Sequence, residues 1–487
     1  MAKFIEQLSV ETTKKFTENG ATAFDSANAG ALLDLFAMAG SLRSRPEVIP
    51  DKFRMAMIED ENLATKLAFY TRDIRGGLGE RDAARSMFKV IATTYPEIMK
   101  KNLGFVPAYG RWDDLLPLLD TPVRESVLQM IKDQLSFDIE NMQRGLPISL
   151  LAKWMPSINT SSHASRVLAN DLAKELNMTP REYRKTLSAL RDHLNVVEVR
   201  MTAKDYAQIH YSEVPSNAMN RYRHAFQRND EEGFSAFMES LRNGKAKINA
   251  GTLYPYNIIE HYVNNWCDRY VDPVLEEQWK ALPNYIEGEN NFLIMADVSG
   301  SMTGRPMATS VGLAIYFAER NKGDYHNVFM TFDSHPKLVK VKGDTLREKT
   351  TSVFTSGFGY STNLEAAFQV ILNTAVANHT RQEEMPKSLI VITDGEIDCL
   401  TEETEWGFVD EMKRRFKEAG YELPNLVLWN VDSRHDTFHA SGFAENVQMC
   451  SGQSASVFKT LIGSVSTTPY EYMLSVLNDD RYSVIEA

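Results

Sequence analysis

The chain from residue 31 to about residue 285 has the hydrophobic period of helices almost throughout. In segments 31–39 and 61–70, apolar residues recur at positions i, i+3, i+4 and i+7, which places them on one helical face. Helix boundaries are marked by the dipeptides Thr179-Pro180, Asn243-Gly244 and Asp272-Pro273. An all-helical region of this length with short connections predicts stacked antiparallel helix pairs, a HEAT-like repeat domain over 31–289.

The chain after residue 290 alternates between short apolar runs and amphipathic segments. Strands are predicted at 291–296, 326–332, 336–341, 387–393, 425–431 and 446–450. Helices are predicted at 306–320, 363–378, 403–418 and 455–461. Such alternation builds a mostly parallel sheet with helices on both faces. The pattern therefore predicts an α/β doubly wound domain over 290–465.

Two segments flank these domains. Residues 1–30 are polar and rich in Thr, Ala and Asn, so we expect a loosely ordered lead-in. Residues 466–487 return to a helical pattern at 470–477. We expect this C-terminal helical tail to be able to pack back on the helical domain.

Charge is distributed unevenly along the 487 residues. The formal net charge is −12, which gives no global attraction to nucleic acid or to an anionic membrane. Residues 1–290 carry 36 basic and 39 acidic side chains, whereas residues 291–487 carry 17 and 26. The acidic second part suits a cation site better than a nucleic-acid surface, and we expect neither DNA nor a membrane as a partner.

Cysteine content and hydropathy indicate the cellular compartment. The three cysteines, Cys267, Cys399 and Cys450, are far apart in the sequence, which excludes a disulfide framework and a cysteine-based zinc site. The first residues lack an apolar leader, and no stretch approaches 18 uncharged apolar residues. We therefore expect a soluble protein of the reducing cytoplasm.

Oxygen-bearing side chains follow two of the predicted strands. The strand at 291–296 ends in Asp297, Ser299 and Ser301, and the strand at 387–393 ends in Asp394 followed by a glycine. Between them, a Gly-rich loop carries Thr362 just before a predicted helix. Because parallel strands place their carboxyl ends at one edge of a sheet, these oxygens can converge on one hard cation.

These residues resemble the von Willebrand factor A domain with its metal-ion-dependent adhesion site. The first motif of that site is matched by Asp297, Ser299 and Ser301, the second by Thr362 and the third by Asp394. The resemblance implies that these five side chains hold a divalent cation. We expect Mg²⁺, with Mn²⁺ or Ca²⁺ also open, since oxygen ligands discriminate weakly among the three. The resemblance also implies that a carboxylate from a protein partner fills the open coordination position.

The helical region contains one basic segment. Residues 166–228 carry 11 Lys or Arg against 7 Asp or Glu. Candidate phosphate contacts are Arg181, Arg184, Lys185, Arg191, Arg221 and Arg223, and nearby aromatic side chains that could stack on bases are Tyr183, Tyr206, Tyr211 and Tyr222. This composition is compatible with an RNA-binding face. By itself it is more typical of solvated helix faces.

Several motifs in the helical region point to one family. They are Gly77-Leu78-Gly79-Glu80-Arg81, Gly110-Arg111-Trp112-Asp113-Asp114-Leu115 and Lys153-Trp154-Met155-Pro156, with further segments at 178–187, 214–219 and 244–253. Followed by an A domain, they resemble the Ro/TROVE proteins, and more closely the related domain-of-unknown-function family 2828. The resemblance implies a TROVE-like ring of helical repeats that binds the single-stranded ends of misfolded RNAs and, on its outer surface, structured small RNAs.

Sequence motifs for catalysis are missing. The chain has no Walker A loop, no Gly-x-Ser-x-Gly and no His-Glu-x-x-His. His210 or His224 with Glu213 could form an acid–base pair, but such neighbours are more often structural. We therefore predict a non-catalytic RNA-binding ribonucleoprotein component. Two alternatives stay open: a metal-dependent protein–protein adaptor without RNA, and, on the acids around the ion alone, a metal-dependent nuclease.

Overall fold

The structure is a computed structural model. It describes residues 11–265, 269–286, 291–332, 334–355, 361–398, 408–462 and 467–487. Cys267, Cys399, residues 357–360 of the Gly-rich loop and the first residues of the helix predicted at 403–418 lie outside these ranges.

The region between residues 31 and 280 is helical, as its hydrophobic period predicts. Its α-helices are α1 (Ala31–Met38), α2 (Ile49–Glu59), α3 (Glu61–Arg72), α4 (Arg81–Thr94), α5 (Pro96–Asn102), α6 (Val106–Tyr109), α7 (Arg124–Gln143), α8 (Leu151–Trp154), α9 (His163–Glu175), α10 (Pro180–His193), α11 (Val197–Ala203), α12 (Ser216–Asn229), α13 (Glu231–Arg242), α14 (Pro255–Asn264) and α15 (Pro273–Lys280). Local chemistry sets their ends: Thr179 and Glu182 form a capping box at the start of α10, which satisfies two free backbone N–H groups.

The second part of the chain folds around a six-stranded sheet. Its strands are β3 (Phe292–Ala296), β4 (Val328–Thr331), β5 (Lys337–Lys340), β6 (Ser388–Thr393), β7 (Asn425–Asn430) and β8 (Val447–Ser451). They lie in the order β5-β4-β3-β6-β7-β8, with only the edge strand β5 antiparallel to its neighbour. The predicted fold class, a helical domain followed by a mostly parallel α/β domain, is confirmed.

Helices cover both faces of this sheet. They are α16 (Arg305–Arg320), α17 (Leu346–Thr355), α18 (Leu364–Asn378), α19 (Phe408–Glu418) and α20 (Phe458–Ile462). Side chains along β3 alternate between two hydrophobic cores. Leu293 and Met295 pack in one core with α18 and α19, and Ile294 and Ala296 pack in the other with α14 and α16. The second core is shared with the helical domain, so the two domains are joined by buried apolar contact.

Helix α17 was missed in the sequence because its own apolar pattern is weak. Tertiary contacts stabilise its first turn: the Glu276 carboxylate of α15 accepts from the backbone N–H groups of Leu346 at 2.7 Å and Arg347 at 3.2 Å. A carboxylate at a helix N-terminus accepts hydrogen bonds from the free backbone N–H groups, and its charge is attracted to the positive end of the helix dipole. A partner 70 residues away therefore defines this helix.

Both ends of the helical domain meet at the α/β domain. At the first end, the Gly40 N–H donates to the Ser451 hydroxyl of β8 at 2.9 Å, and a side chain at Gly40 would collide with the Gly452 backbone. At the other end, Pro255 and Tyr256 of α14 pack against Gly312 of α16, and Tyr254 lies directly against Gly79 in the loop before α4. The helical domain therefore returns on itself, with its two ends in contact.

The flanking segments are more ordered than their composition suggests. Within residues 11–30, where we expect a loose lead-in, the structure has a hairpin of β1 (Lys14–Phe16) and β2 (Thr22–Phe24). The Phe24 N–H donates to the Phe438 carbonyl at 2.9 Å, so contact with the α/β domain orders the segment. The tail forms α21 (Pro469–Leu477) and continues onto the helical domain, where the Asn102 side chain donates to the Glu486 carbonyl at 2.6 Å. Among the described helices, none has both the length and the hydrophobicity needed to cross a membrane.

Candidate metal centre

The first acid of the candidate site, Asp297, directly follows β3 at the middle of the sheet. Its side chain is fully buried, and its Oδ1 accepts from the Ser299 N–H at 2.9 Å. The hydroxyls of Ser299 and Ser301 are hydrogen-bonded to each other at 3.0 Å. The turn after β3 therefore brings the first motif into one hydrogen-bonded group.

The second acid, Asp394, follows β6, which is the neighbour of β3. The parallel register of the two strands sets Thr393 beside Asp297, and the Thr393 hydroxyl donates to Asp297 Oδ2 at 2.9 Å. Asp394 is also buried, and its Oδ1 accepts from the Glu396 N–H at 3.1 Å. The strand order reverses between β3 and β6, and open α/β sheets bind ligands at this switch point.

The two acids form a region of concentrated negative charge. Burial, and after it the neighbouring Asp394 carboxylate, raises the pKa of Asp297 to about 6, although hydrogen bonds from Ser299 and Thr393 act in the opposite direction. Two buried carboxylates that repel each other are relieved by a positive charge placed beside them. A cation is therefore the group that this edge of the sheet favours.

One positive group already lies at this edge. Arg434, in the loop after β7, donates from Nη2 to Asp394 Oδ2 at 2.9 Å. Its Nη1 lies 3.3 Å from Glu18 Oε2 of the N-terminal hairpin. No sequence pattern identified Arg434. Its place just beyond the end of the next parallel strand is the signal that could have identified it.

Thr362, the predicted second motif, lies on the neighbouring loop. Its hydroxyl lies 2.8 Å from the Glu396 carbonyl and 3.0 Å from Asp398 Oδ1, and it accepts from the Asn19 side chain at 2.9 Å. Glu396 links it to the acids, because its N–H donates to Asp394. Thr362 is therefore at the edge of the site, with its hydroxyl hydrogen-bonded to neighbours of the two acids.

The donor set fits a hard divalent cation. Two carboxylates with hydroxyl oxygens beside them are the ligands that Mg²⁺, Mn²⁺ and Ca²⁺ use. Within the described ranges, no three His, Cys, Asp or Glu side chains gather as a metal site, so an ion here would rely on hydroxyls as well as acids. Asp297, Ser299 and Ser301 would hold the ion, with Asp394 and Thr362 completing its surroundings.

The candidate RNA-binding residues of α10 separate into two groups. Arg181, Arg184 and Lys185 are exposed. Arg191 is half-buried, and its guanidinium donates to the carbonyls of Ala152 and Met155 and to the Ser157 hydroxyl at 2.7–2.8 Å. The first three are therefore accessible to a ligand, whereas Arg191 holds the segment after α8.

The two candidates on α12 differ in the same way. Arg221 is exposed, whereas Arg223 is buried and forms an ion pair with Asp272 at 2.6 Å. Among the aromatic candidates, Tyr183 and Tyr211 are buried. They cannot stack on bases, while Tyr206 and Tyr222 are partly exposed.

Comparison with known proteins is consistent with this architecture. Residues 123–291 match a family described as a domain of unknown function, DUF2828, and residues 291–481 match another, DUF7788. The uncharacterized protein L728 of Acanthamoeba polyphaga mimivirus is 30% identical, over 95% of this chain and 87% of that protein. The chain belongs to the DUF2828 family. The boundary between the two matches falls directly before β3.

The fold of this DUF2828 protein is Ro-like. The crystal structure of the Deinococcus radiodurans Ro (RSR) protein superposes with a TM-score of 0.50 at 14% sequence identity. The match covers 92% of this chain and 99% of that one. The likeness therefore extends over both the helical domain and the α/β domain of this chain.

Proposed function

We propose that this protein is a non-catalytic RNA-binding protein of the Ro type, which binds structured or misfolded RNA through its helical domain. The observation that carries the proposal is the exposed group of Arg181, Arg184 and Lys185 on one helix of a Ro-like domain. Three cations at this helical spacing match the phosphate contacts that RNA binding requires. Arg221 adds a fourth exposed cation on α12.

Arg191 and Arg223 are left out of this surface. Their guanidinium groups are engaged by carbonyls and by a buried carboxylate, and breaking such contacts to reach a phosphate would cost stability. The proposed RNA contacts are thus those cations whose charge is free of buried partners.

The test is crosslinking in cells followed by sequencing of the bound RNA, with R181A/R184A/K185A beside the wild type. We expect discrete RNA species with the wild type and their loss in the variant. For a recovered RNA, log K should be measured against the logarithm of the salt concentration. The loss of three phosphate contacts should make the slope of that plot shallower by about 2, since each contact to a single strand contributes roughly 0.7.

A matched control removes three exposed cations from elsewhere. K89A/K132A/K417A makes the same change in net charge on helices α4, α7 and α19, and we expect it to retain the RNA. Equal loss in both variants would show that net charge, not this surface, governs binding. No RNA above background in any sample would end the RNA proposal.

A second candidate function is that of a metal-dependent protein adaptor. The buried pair Asp297 and Asp394, with the hydroxyls of Ser299 and Ser301 beside it, favours a cation whose open position would bind a partner's Asp or Glu. The test is co-purification with wild type and D297A, each with Mg²⁺ and with chelator. A partner lost in D297A and in chelator supports this function, and a partner retained in both opposes it.

A further inference from the structure

The N-terminal hairpin lies across the strand ends that carry the candidate metal site. The Glu18 N–H donates to the buried Glu396 carboxylate at 2.7 Å. The Asn19 side chain donates to the Glu396 carbonyl at 2.8 Å and to the Thr362 hydroxyl at 2.9 Å. The turn of the hairpin, between β1 and β2, is therefore fastened to the same loops that surround the two acids.

Arg434 bridges the metal site and this hairpin. One side of its guanidinium donates to Asp394 at 2.9 Å, and the other lies 3.3 Å from Glu18. Its Nε is buried without a hydrogen-bond partner among the described residues. A buried donor without a partner is unfavourable, so this position does not satisfy the whole guanidinium. The side chain keeps about a third of its surface exposed, which leaves it room to move.

Glu18 is suited to receive a cation. Its Oε1 is hydrogen-bonded to the His435 ring at 2.9 Å. That hydrogen bond is the largest effect and lowers the pKa of the Glu18 carboxyl. Burial acts in the opposite direction, and the charges of Arg434 and His435 lower the pKa further. Glu18 is thus ionised at neutral pH, half-exposed and next to the guanidinium.

We propose that Arg434 is a tethered cation that competes with the divalent ion for Asp394 and moves onto Glu18 when the ion binds. The proposal rests on the metal site of the proposed function and adds a residue that sets the affinity of that site. A guanidinium and a divalent cation repel each other and cannot both neutralise the same carboxylate oxygen. Ion binding therefore requires Arg434 to leave Asp394, and Glu18, 3.3 Å from its Nη1, is a carboxylate with which it already pairs.

The consequence is that ion occupancy and the N-terminal hairpin are coupled. Without the ion, Arg434 neutralises Asp394 and links it to the hairpin. With the ion bound, the Arg434–Glu18 pair holds the hairpin instead. Removing Arg434 should strengthen ion binding, and removing the charge of Glu18 should weaken it by leaving Arg434 on Asp394.

The experiment is titration calorimetry of the full-length protein with Mg²⁺ and, separately, Mn²⁺. We expect R434Q to lower the Kd about tenfold, R434K to stay within about threefold of wild type because it keeps the charge, and E18Q to raise the Kd about threefold. In the R434Q background, E18Q should have less than a twofold effect, because its action passes through Arg434. R45Q is the matched control, since Arg45 pairs with Asp436 in the same loop without contacting Asp394.

The outcomes separate this inference from the metal site itself. Equal Kd values for wild type and R434Q would overturn the inference while leaving the metal site in place. Binding by R434Q where wild type binds no ion would support it in its strongest form, and binding by neither protein would overturn both. If R434Q fails to fold, the E18Q variant provides the test. A Kd of E18Q that is equal to or lower than that of wild type would refute the movement of Arg434 from Asp394 to Glu18.

Discussion

The candidate metal centre and the basic surface of α10 and α12 use charged side chains in opposite ways. At the candidate metal centre the acids are buried, and their oxygens accept hydrogen bonds from β6, from the loop after β6 and from the loop after β7. On the basic surface, Arg181, Arg184 and Lys185 are exposed. The first region is therefore assembled by tertiary contacts, whereas the second is set by spacing along single helices.

This difference shows what makes a charge available to a ligand. Arg221 and Arg223 stand two residues apart on α12, yet only Arg221 is exposed, while Arg223 neutralises the buried Asp272. A cation with a buried partner serves the fold. An exposed cation contributes little to stability and is free for a phosphate.

The largest expected effect is that of Arg223→Ala on stability. Removing one member of a buried ion pair leaves the other uncompensated, which costs about 3–5 kcal/mol. Urea unfolding should show this loss at the transition that includes the helical domain. The matched variant R221A should change the free energy of unfolding by less than about 0.5 kcal/mol and should weaken RNA binding. Equal destabilisation by both would contradict the distinction between the two arginines.

The next effect is stabilisation by Mg²⁺. An ion that binds only the folded protein raises the free energy of unfolding by about 2.7 kcal/mol at 100 times its Kd. Wild type should show this increase in thermal unfolding, and D297N should not, because it loses a ligand of the ion. D436N is the control, since Asp436 pairs with Arg45 and Lys52 away from the acids. An equal increase in D297N would place the ion elsewhere.

The smallest of the three effects concerns Arg191. Its three hydrogen bonds to residues 152–157 should make R191A about 2 kcal/mol less stable than wild type in urea unfolding. At temperatures where the variant is folded, its RNA affinity should stay within about twofold of wild type. R184A, on the same helix, should instead keep the stability of wild type and lose RNA affinity. A tenfold loss of RNA affinity in folded R191A would show that Arg191 does contact RNA.

The acids of the candidate metal centre could be identified because strand ends are visible in a sequence. Asp297 and Asp394 each follow an apolar run, and parallel strands deliver their carboxyl ends to one edge. Arg434 also follows a strand, β7, but nothing in the sequence pairs it with Asp394. Glu18 and Asn19 could not be found in this way, since they come from a segment with no regular pattern. Their positions depend on contacts such as that between Glu18 and Glu396, 378 residues apart.

The same limit applies to the fold. The hydrophobic period of 31–285 and the strand–helix alternation after 290 are local properties, and they identified both domains in order. Helix α17 and the N-terminal hairpin were not predicted, because they are stabilised by Glu276 and by Phe438 and not by an apolar pattern of their own. Local propensity is too weak to specify elements whose stability comes from distant partners.

The sequence by itself determined the two domains, the mostly parallel sheet and the acids and hydroxyls at its strand ends, because periodicity and strand order are encoded in neighbouring residues. Only the tertiary structure decided that Arg191 and Arg223 are engaged by other parts of the fold. It likewise decided that Arg181, Arg184, Lys185 and Arg221 are exposed. It alone placed Arg434 between Asp394 and Glu18. The physical reason is that burial and pairing belong to whole surfaces in contact, and no spacing along the chain specifies which surfaces will meet.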